Sequence, residues 1–219
     1  MELAAHHEWM IFDFGNLNVT LNDLTAGGSI NIAADIVDSG NLTITSSGAI
    51  TAAALSATNS ISVEGGGNVT IGGLPTSLAS NLSLVAGGTL SIPFGQGYSA
   101  PSIFIESGAG DLNFSNALLA TSSLSVAANG GNLSAPGLPL NLSGNLYLYA
   151  DGTLAIPDGA FTYTAQNITL YAGAGNISLP NVGLYATNGV IQVTAATGAI
   201  ALNALTAEYN PTILLLVDG

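Results

Sequence analysis

The sequence predicts an all-β fold, a parallel β-helix or β-solenoid of about nine to ten coils, with about 22 residues and three short strands in each coil. The stretch from Gly40 to Leu55 shows the pattern. Leu42 and Ile44 alternate with threonines, which is the period-two pattern of a strand with one buried face. After a glycine corner Ile50 opens a second strand, and Leu55 supplies a third apolar position.

The same cassette recurs to the end of the chain, in steps of 19 to 23 residues. The first inward positions are Leu42, Ile61, Leu82, Ile103, Leu124, Leu146, Ile168, Ile191 and Ile213. The second strands open at Ile50, Val69, Leu90, Leu112, Leu133, Leu154, Ile177 and Ile200. The third positions are Leu55, Leu74, Leu138, Val182 and Leu205, with Phe94, Leu118 and Phe161 in the other cassettes. Three short strands cannot bury their apolar faces alone, whereas stacked coils cover one another.

The composition fits this fold. Hydrophobic residues make up 48% of the chain and charged residues only 6%, so the surface must consist mostly of Ser, Thr, Asn and Gly. The longest strongly hydrophobic run, Ile213 to Val217, is far shorter than the roughly 20 residues of a spanning helix, and no membrane insertion is expected.

The charge excludes several classes of partner. The chain has 13 acidic residues and no Lys or Arg, which argues against binding to nucleic acid and to anionic membrane surfaces. Solubility through net negative charge is one interpretation. Adaptation to trypsin-like proteases or to low pH is the alternative. The absence of cysteine excludes disulfides and thiolate metal sites.

Two segments are expected, an N-terminal cap or assembly segment over residues 1–15 and a β-helix repeat domain over residues 16–219. Residues 1–15 hold both histidines, the only tryptophan and both methionines. They lack the basic segment and apolar core of a secretory signal peptide. Atypical terminal repeats are usual in solenoids, and Trp9 to Phe14 is expected to cover the first coil.

The two ends of the solenoid predict head-to-tail assembly. A β-helix ends in unpaired backbone donors and acceptors, and Ile213 to Val217 is apolar on both faces without a protective Lys. Unlike ends make a heterologous contact, and a contact that does not close gives a filament. The predicted assembly interface is Trp9, Met10, Ile11, Phe12, Phe14, Ile213, Leu214, Leu215, Leu216 and Val217.

The recurring string Leu84-Val85-Ala86-Gly87-Gly88-Thr89-Leu90-Ser91-Ile92 resembles the repeats of filamentous haemagglutinins and related two-partner-secretion proteins. Gly27 to Ile32 is similar. The resemblance covers about residues 15 to 217. It implies a right-handed parallel β-helix, display outside the cell and a role as a shaft or adhesin.

Catalytic and metal sites find little support. Glu64 and Glu106 fall in one outward column two coils apart, but no further catalytic cluster accompanies them. The metal hypotheses concern His6, His7, Glu8 and Asp13 for a divalent metal, and the pairs Asp35 with Asp38 and Asp151 with Asp158 for calcium. We expect solvated carboxylates instead, with no catalytic residue, no metal and no cofactor.

Outward tyrosines are the more informative candidates. Tyr149 and Tyr171 are expected to stack, with Tyr147 beside them. The spacing also suggests a second ladder of Tyr163, Tyr185 and Tyr209. Such ladders either stabilise the sheet through cross-strand aromatic pairs or bind glycans or a neighbouring subunit.

The predicted function is a non-enzymatic structural protein of the bacterial surface or extracellular space, a filament subunit or shaft segment that stacks head to tail with itself. The alternative is a glycan-binding adhesin segment that uses the tyrosines. A carbohydrate-active enzyme is disfavoured, because β-helix lyases usually rely on an Arg or Lys that this chain lacks.

Overall fold

A computed structural model describes residues 2–5, 9–12, 23–33, 35–37, 40–93, 95–115, 117–136, 138–139, 141–156, 162–207 and 212–217. All regular secondary structure in these residues is β-strand. The strands are parallel and stack as a β-solenoid whose successive turns are about 21 residues apart. The predicted fold class is therefore confirmed. None of the described residues belongs to a helix long and apolar enough to cross a membrane.

Early coils show three separate strands, whereas in later coils the strands merge around the corners. The strands as far as residue 71 are β1 Glu2–Ala5, β2 Trp9–Phe12, β3 Asp23–Ala26, β4 Ser29–Ile32, β5 Ile36–Val37, β6 Asn41–Ser46, β7 Ile50–Ala52, β8 Leu55–Ser56, β9 Ser60–Gly65 and β10 Val69–Ile71. The remaining strands are β11 Asn81–Ser91, β12 Tyr98–Ala109, β13 Leu112–Asn113, β14 Leu118–Ala128, β15 Leu133–Ser134, β16 Leu146–Ala150, β17 Leu154–Ala155, β18 Thr162–Ala172, β19 Ile177–Ala195, β20 Ile200–Ala207 and β21 Thr212–Val217.

The first face of the solenoid has the register that the sequence predicts. Its inward column pairs Leu42, Ile61, Leu82, Ile103, Leu124, Leu146, Ile168, Ile191 and Ile213 in unbroken succession. Nine strands thus stack at eight intervals, and β3 and β1 precede them on the same face. The next inward column, which contains Leu84 and Ile105, is completely buried in the coils between β6 and β19. Because each side chain packs on the coil below and the coil above, burial stabilises the stack by about 1.5 to 3 kcal/mol per large apolar residue.

The second face also agrees with prediction, and the third agrees only in part. Pairs such as Ile50 with Val69 and Ile177 with Ile200 hold the second column together. On the third face, however, Leu205 pairs with Leu184 and not with Val182. A register shift between Leu179 and Gly183 moves the third strand, so a fixed five-residue offset is wrong there.

The N-terminal strands continue the stack. β1 pairs in parallel with β3 on the first face, and β2 pairs with β4 on the second face. The segment Trp9–Phe12 therefore lies as a strand on the first coils.

Asparagines at the corners bond to the following coil. The side-chain oxygens of Asn68, Asn132 and Asn176 accept hydrogen bonds from the backbone N–H groups of residues 89, 153 and 199, at 2.9, 2.8 and 2.8 Å. Each of these bonds satisfies a backbone donor at a turn, where the strand ladder is interrupted. The asparagines thus fix the vertical register of successive coils.

Candidate functional site

The outward surface of the first face carries the aromatic side chains. Tyr147 and Tyr149 lie on β16, and register places Tyr149 directly beside Tyr171 of β18. The Tyr149 and Tyr171 rings are stacked, with centroids 4.8 Å apart and planes 3° from parallel. The predicted stack is therefore confirmed, and its spacing matches the distance between adjacent parallel strands.

A carboxylate fixes one of these hydroxyl groups. The Tyr149 hydroxyl donates a hydrogen bond to an Asp151 oxygen. This bond, together with burial and nearby negative groups, raises the pKa of Tyr149 to about 12. Burial and then the Glu106 carboxylate raise the pKa of Tyr147. Both phenols are therefore neutral at physiological pH, and their hydroxyl groups can donate hydrogen bonds.

The second predicted ladder is wrong. Tyr163 points into the core and is only 1% exposed, and it pairs with Leu184. Tyr185 is partly exposed and pairs with Thr164, one residue away from the expected partner. The cause is a register shift between Ala165 and Asn167. Tyr209 lies outside the described residues.

Phe104 joins this surface and was not among the sequence candidates. Its ring is 39% exposed and it occupies the same outward column as Ser125 and Tyr147, in the order Phe104, Ser125, Tyr147. Tyr147 is 38% exposed. The signal was present in the sequence, because Phe104 alternates with the inward Ile103 and Ile105, but a search for tyrosines alone missed it.

An open groove of about 330 Å³ lies beside Phe104. Its lining side chains are Asn81, Ser83, Ser102, Phe104, Ser123 and Ser125. They come from three consecutive coils and stand on the outward side of β11, β12 and β14. The groove is thus a small depression with a mostly apolar surface, one aromatic wall and a few hydroxyl and amide groups at its border.

Two carboxylates stand in the neighbouring outward column. Glu64, Val85 and Glu106 follow one another in register, so the two acids are two coils apart as predicted. The Glu106 carboxylate accepts a hydrogen bond of 2.7 Å from the Asn129 amide. This arrangement holds a fixed negative charge near Phe104 and Tyr147.

The metal hypotheses are largely beyond the described part of the chain. His6, His7, Glu8, Asp13, Asp38 and Asp158 lie outside the described residues. Asp35 and Asp151 are described, and no group of three or more possible metal ligands occurs among the described residues. Asp151 is instead the partner of the Tyr149 hydroxyl.

The predicted assembly residues lie at the two ends of the stack. Ile213 to Val217 form most of β21, and all five side chains are exposed, by 43 to 56%. Among the described strands only β19 pairs with β21. At the other end Trp9, Met10, Ile11 and Phe12 form β2, and Phe14 lies outside the described residues.

Scanned against protein-family models, curated proteins and solved structures, the chain matches none of them.

Proposed function

We propose that this chain is a non-enzymatic structural segment of a bacterial surface or extracellular filament, and that it adds a second copy of itself at its C-terminal edge. The observation that carries the proposal is the state of β21, a strand with five exposed apolar side chains. Within the described residues, β21 forms backbone hydrogen bonds along one edge, to β19.

The end of the stack favours addition of another strand. The outer edge of β21 presents backbone donors and acceptors in the direction of the solenoid axis, which is the usual route of strand addition. Its inward-facing residues, Ile213 and Leu215, continue buried columns of the first face. A further coil would bury them as Ile191 and Val193 are buried now.

A second copy offers a strand of matching type. β1 lies at the opposite end of the same face and runs parallel to the rest of the stack. Contact between unlike ends is heterologous, and repetition along one axis gives a filament. The net charge of −13 per chain opposes this contact, so assembly should strengthen with salt and at low pH.

The test is a paired set of lysine variants. Leu214→Lys with Leu216→Lys places two charges on the open edge, and we expect soluble monomers. Thr43→Lys with Thr45→Lys is the matched control, because these positions are outward in β6 in the same two columns and change the net charge equally. The control should assemble like the unmodified chain.

Light scattering and electron microscopy would follow assembly as salt is raised and as the pH is lowered to about 4. Circular dichroism would establish that every variant is folded. The filament proposal fails if the unmodified chain remains monomeric at high salt and at low pH, or if both lysine pairs behave alike.

A further inference from the structure

The groove beside Phe104 has the features of a binding site that the filament proposal does not use. It lies on the side of the solenoid, in the coils of β11, β12 and β14, away from β21. Strand addition at the end of the stack would leave it open.

The polar side chains of the groove are available to a ligand. Within the described residues, no hydrogen bond engages the side chains of Asn81, Ser83, Ser102 and Ser125. Corner asparagines elsewhere are used, as when the Asn167 amide donates to Asn145 at 2.9 Å. A few hydroxyl and amide groups at the border of the groove are therefore free to donate and accept.

The outward column of Phe104, Ser125 and Tyr147 has an aromatic ring at its first and third positions and none between them. Phe104 and Tyr147 are separated by two coil intervals, about 9.6 Å at about 4.8 Å per interval. Ser125 lies between them and has no ring. On the same face, Tyr149 and Tyr171 stack at one interval, 4.8 Å. A flat or chair-shaped ring above Ser125 would thus contact an aromatic ring on each side.

Charge limits the class of ligand. Glu106 lies on β12, the strand that carries Phe104, and its carboxylate accepts a hydrogen bond from the Asn129 amide. The chain has no Lys or Arg to balance the charge of an anion. An acidic sugar or a phosphate would be repelled.

We propose that the outward position over Ser125, where the groove beside Phe104 ends and Tyr147 follows in the next coil, binds one pyranose ring of a neutral glycan. The C–H face of the sugar packs on the Phe104 ring. Its hydroxyl groups bond to Ser123 and Ser125, which lie in the same coil, and to the Glu106 carboxylate. A single ring on an open surface implies a dissociation constant on the order of 1 mM.

The test uses cellotetraose and maltotetraose as neutral probes and tetragalacturonate as the acidic probe, with binding followed by saturation-transfer NMR. At least one neutral probe should bind and the acidic one should not. Phe104→Ala should weaken binding at least tenfold. Ser125→Tyr should abolish binding by filling the vacant position, and it should keep or raise the melting temperature because it completes the aromatic column.

One variant serves as the control. Tyr171→Ala removes an aromatic ring outside the site and should bind like the unmodified chain. The proposal is overturned if neither neutral probe binds, if the acidic probe binds equally well, or if Ser125→Tyr leaves binding unchanged. Binding of a phenylalanine-containing peptide in place of the sugars would also overturn it and would identify a protein-binding groove.

Discussion

Gly87→Ala should destabilise the solenoid through a steric clash between coils. A Cβ atom at Gly87 would lie 2.3 Å from the carbonyl oxygen of Gly66 in the preceding coil. The same contact recurs one coil later, where a Cβ at Gly108 would lie 2.1 Å from the Gly87 oxygen. The corner therefore needs glycine for close approach of two backbones.

The magnitude follows from what must move. Backbone cannot rotate away as a side chain does, so the two coils must separate by about 1 Å to restore an ordinary contact. Separation would stretch the neighbouring hydrogen bond from Gly88 N–H to Gly67 O, now 3.0 Å. Overpacking costs about 1 to 3 kcal/mol and the weakened bond about 1 kcal/mol. Reduced freedom of the unfolded chain offsets up to about 1 kcal/mol, which leaves a net loss of about 2 kcal/mol.

Gly27→Ala is the matched control. Gly27 also lies at a corner after a first-face strand, and a Cβ there would meet nothing within 4 Å. This substitution should be neutral or slightly stabilising, because only the entropy of the unfolded chain changes.

Urea denaturation of both variants, followed by circular dichroism, measures the difference in free energy of unfolding. Equal transition midpoints for Gly87→Ala and Gly27→Ala would refute the close contact between the coils. A loss in the control as large as in the test variant would have the same meaning.

Two further predictions concern the core and the tyrosines. Leu84→Asp would bury an unpaired charge at a cost of several kcal/mol, whereas Thr43→Lys on the outward side should be nearly neutral, and equal losses in a thermal melt would contradict the assigned faces. Burial raises the pKa of Tyr98 to about 12, and the hydrogen bond to Asp151 raises the pKa of Tyr149 to about 12. The stability that these two neutral phenols contribute is therefore complete below about pH 10 and is lost as the pH rises through about 12. Tyr98→Phe should flatten this alkaline decline by about 2 to 3 kcal/mol, and should lower stability at pH 8 through loss of the hydrogen bond to the Pro93 carbonyl oxygen. An identical alkaline profile for Tyr98→Phe and the unmodified chain, in denaturation at several pH values, would contradict it.

The first and second faces were predictable because their signal is local. Leu42 and Ile44 repeat an alternation that each later strand copies, and a period of two assigns every residue of a strand to the core or to the surface. The expectation that nucleic acid is not a partner rests on the sequence alone, because electrostatic affinity depends on the number of Lys and Arg residues.

The aromatic neighbours were only partly predictable. Tyr149 and Tyr171 stack as expected because the strands that carry them pair without a shift. Tyr163 was assigned to the surface from its 22-residue spacing to Tyr185, although its alternation with Ala165 already indicated an inward side chain. Local alternation was the better guide there, and spacing failed.

What the sequence determined by itself is which side chains of each strand face the core, together with the charge of the surface around them. What only the tertiary structure decided is where strands shift, at Ala165 and Leu179, and therefore which residues of the third face become neighbours, such as Tyr163 and Leu184. The physical reason is that coils of 19 to 23 residues fit one stack only if corners and bulges absorb the extra residues. The place where each extra residue is absorbed depends on hydrogen bonds to the coils above and below, which a single strand does not contain.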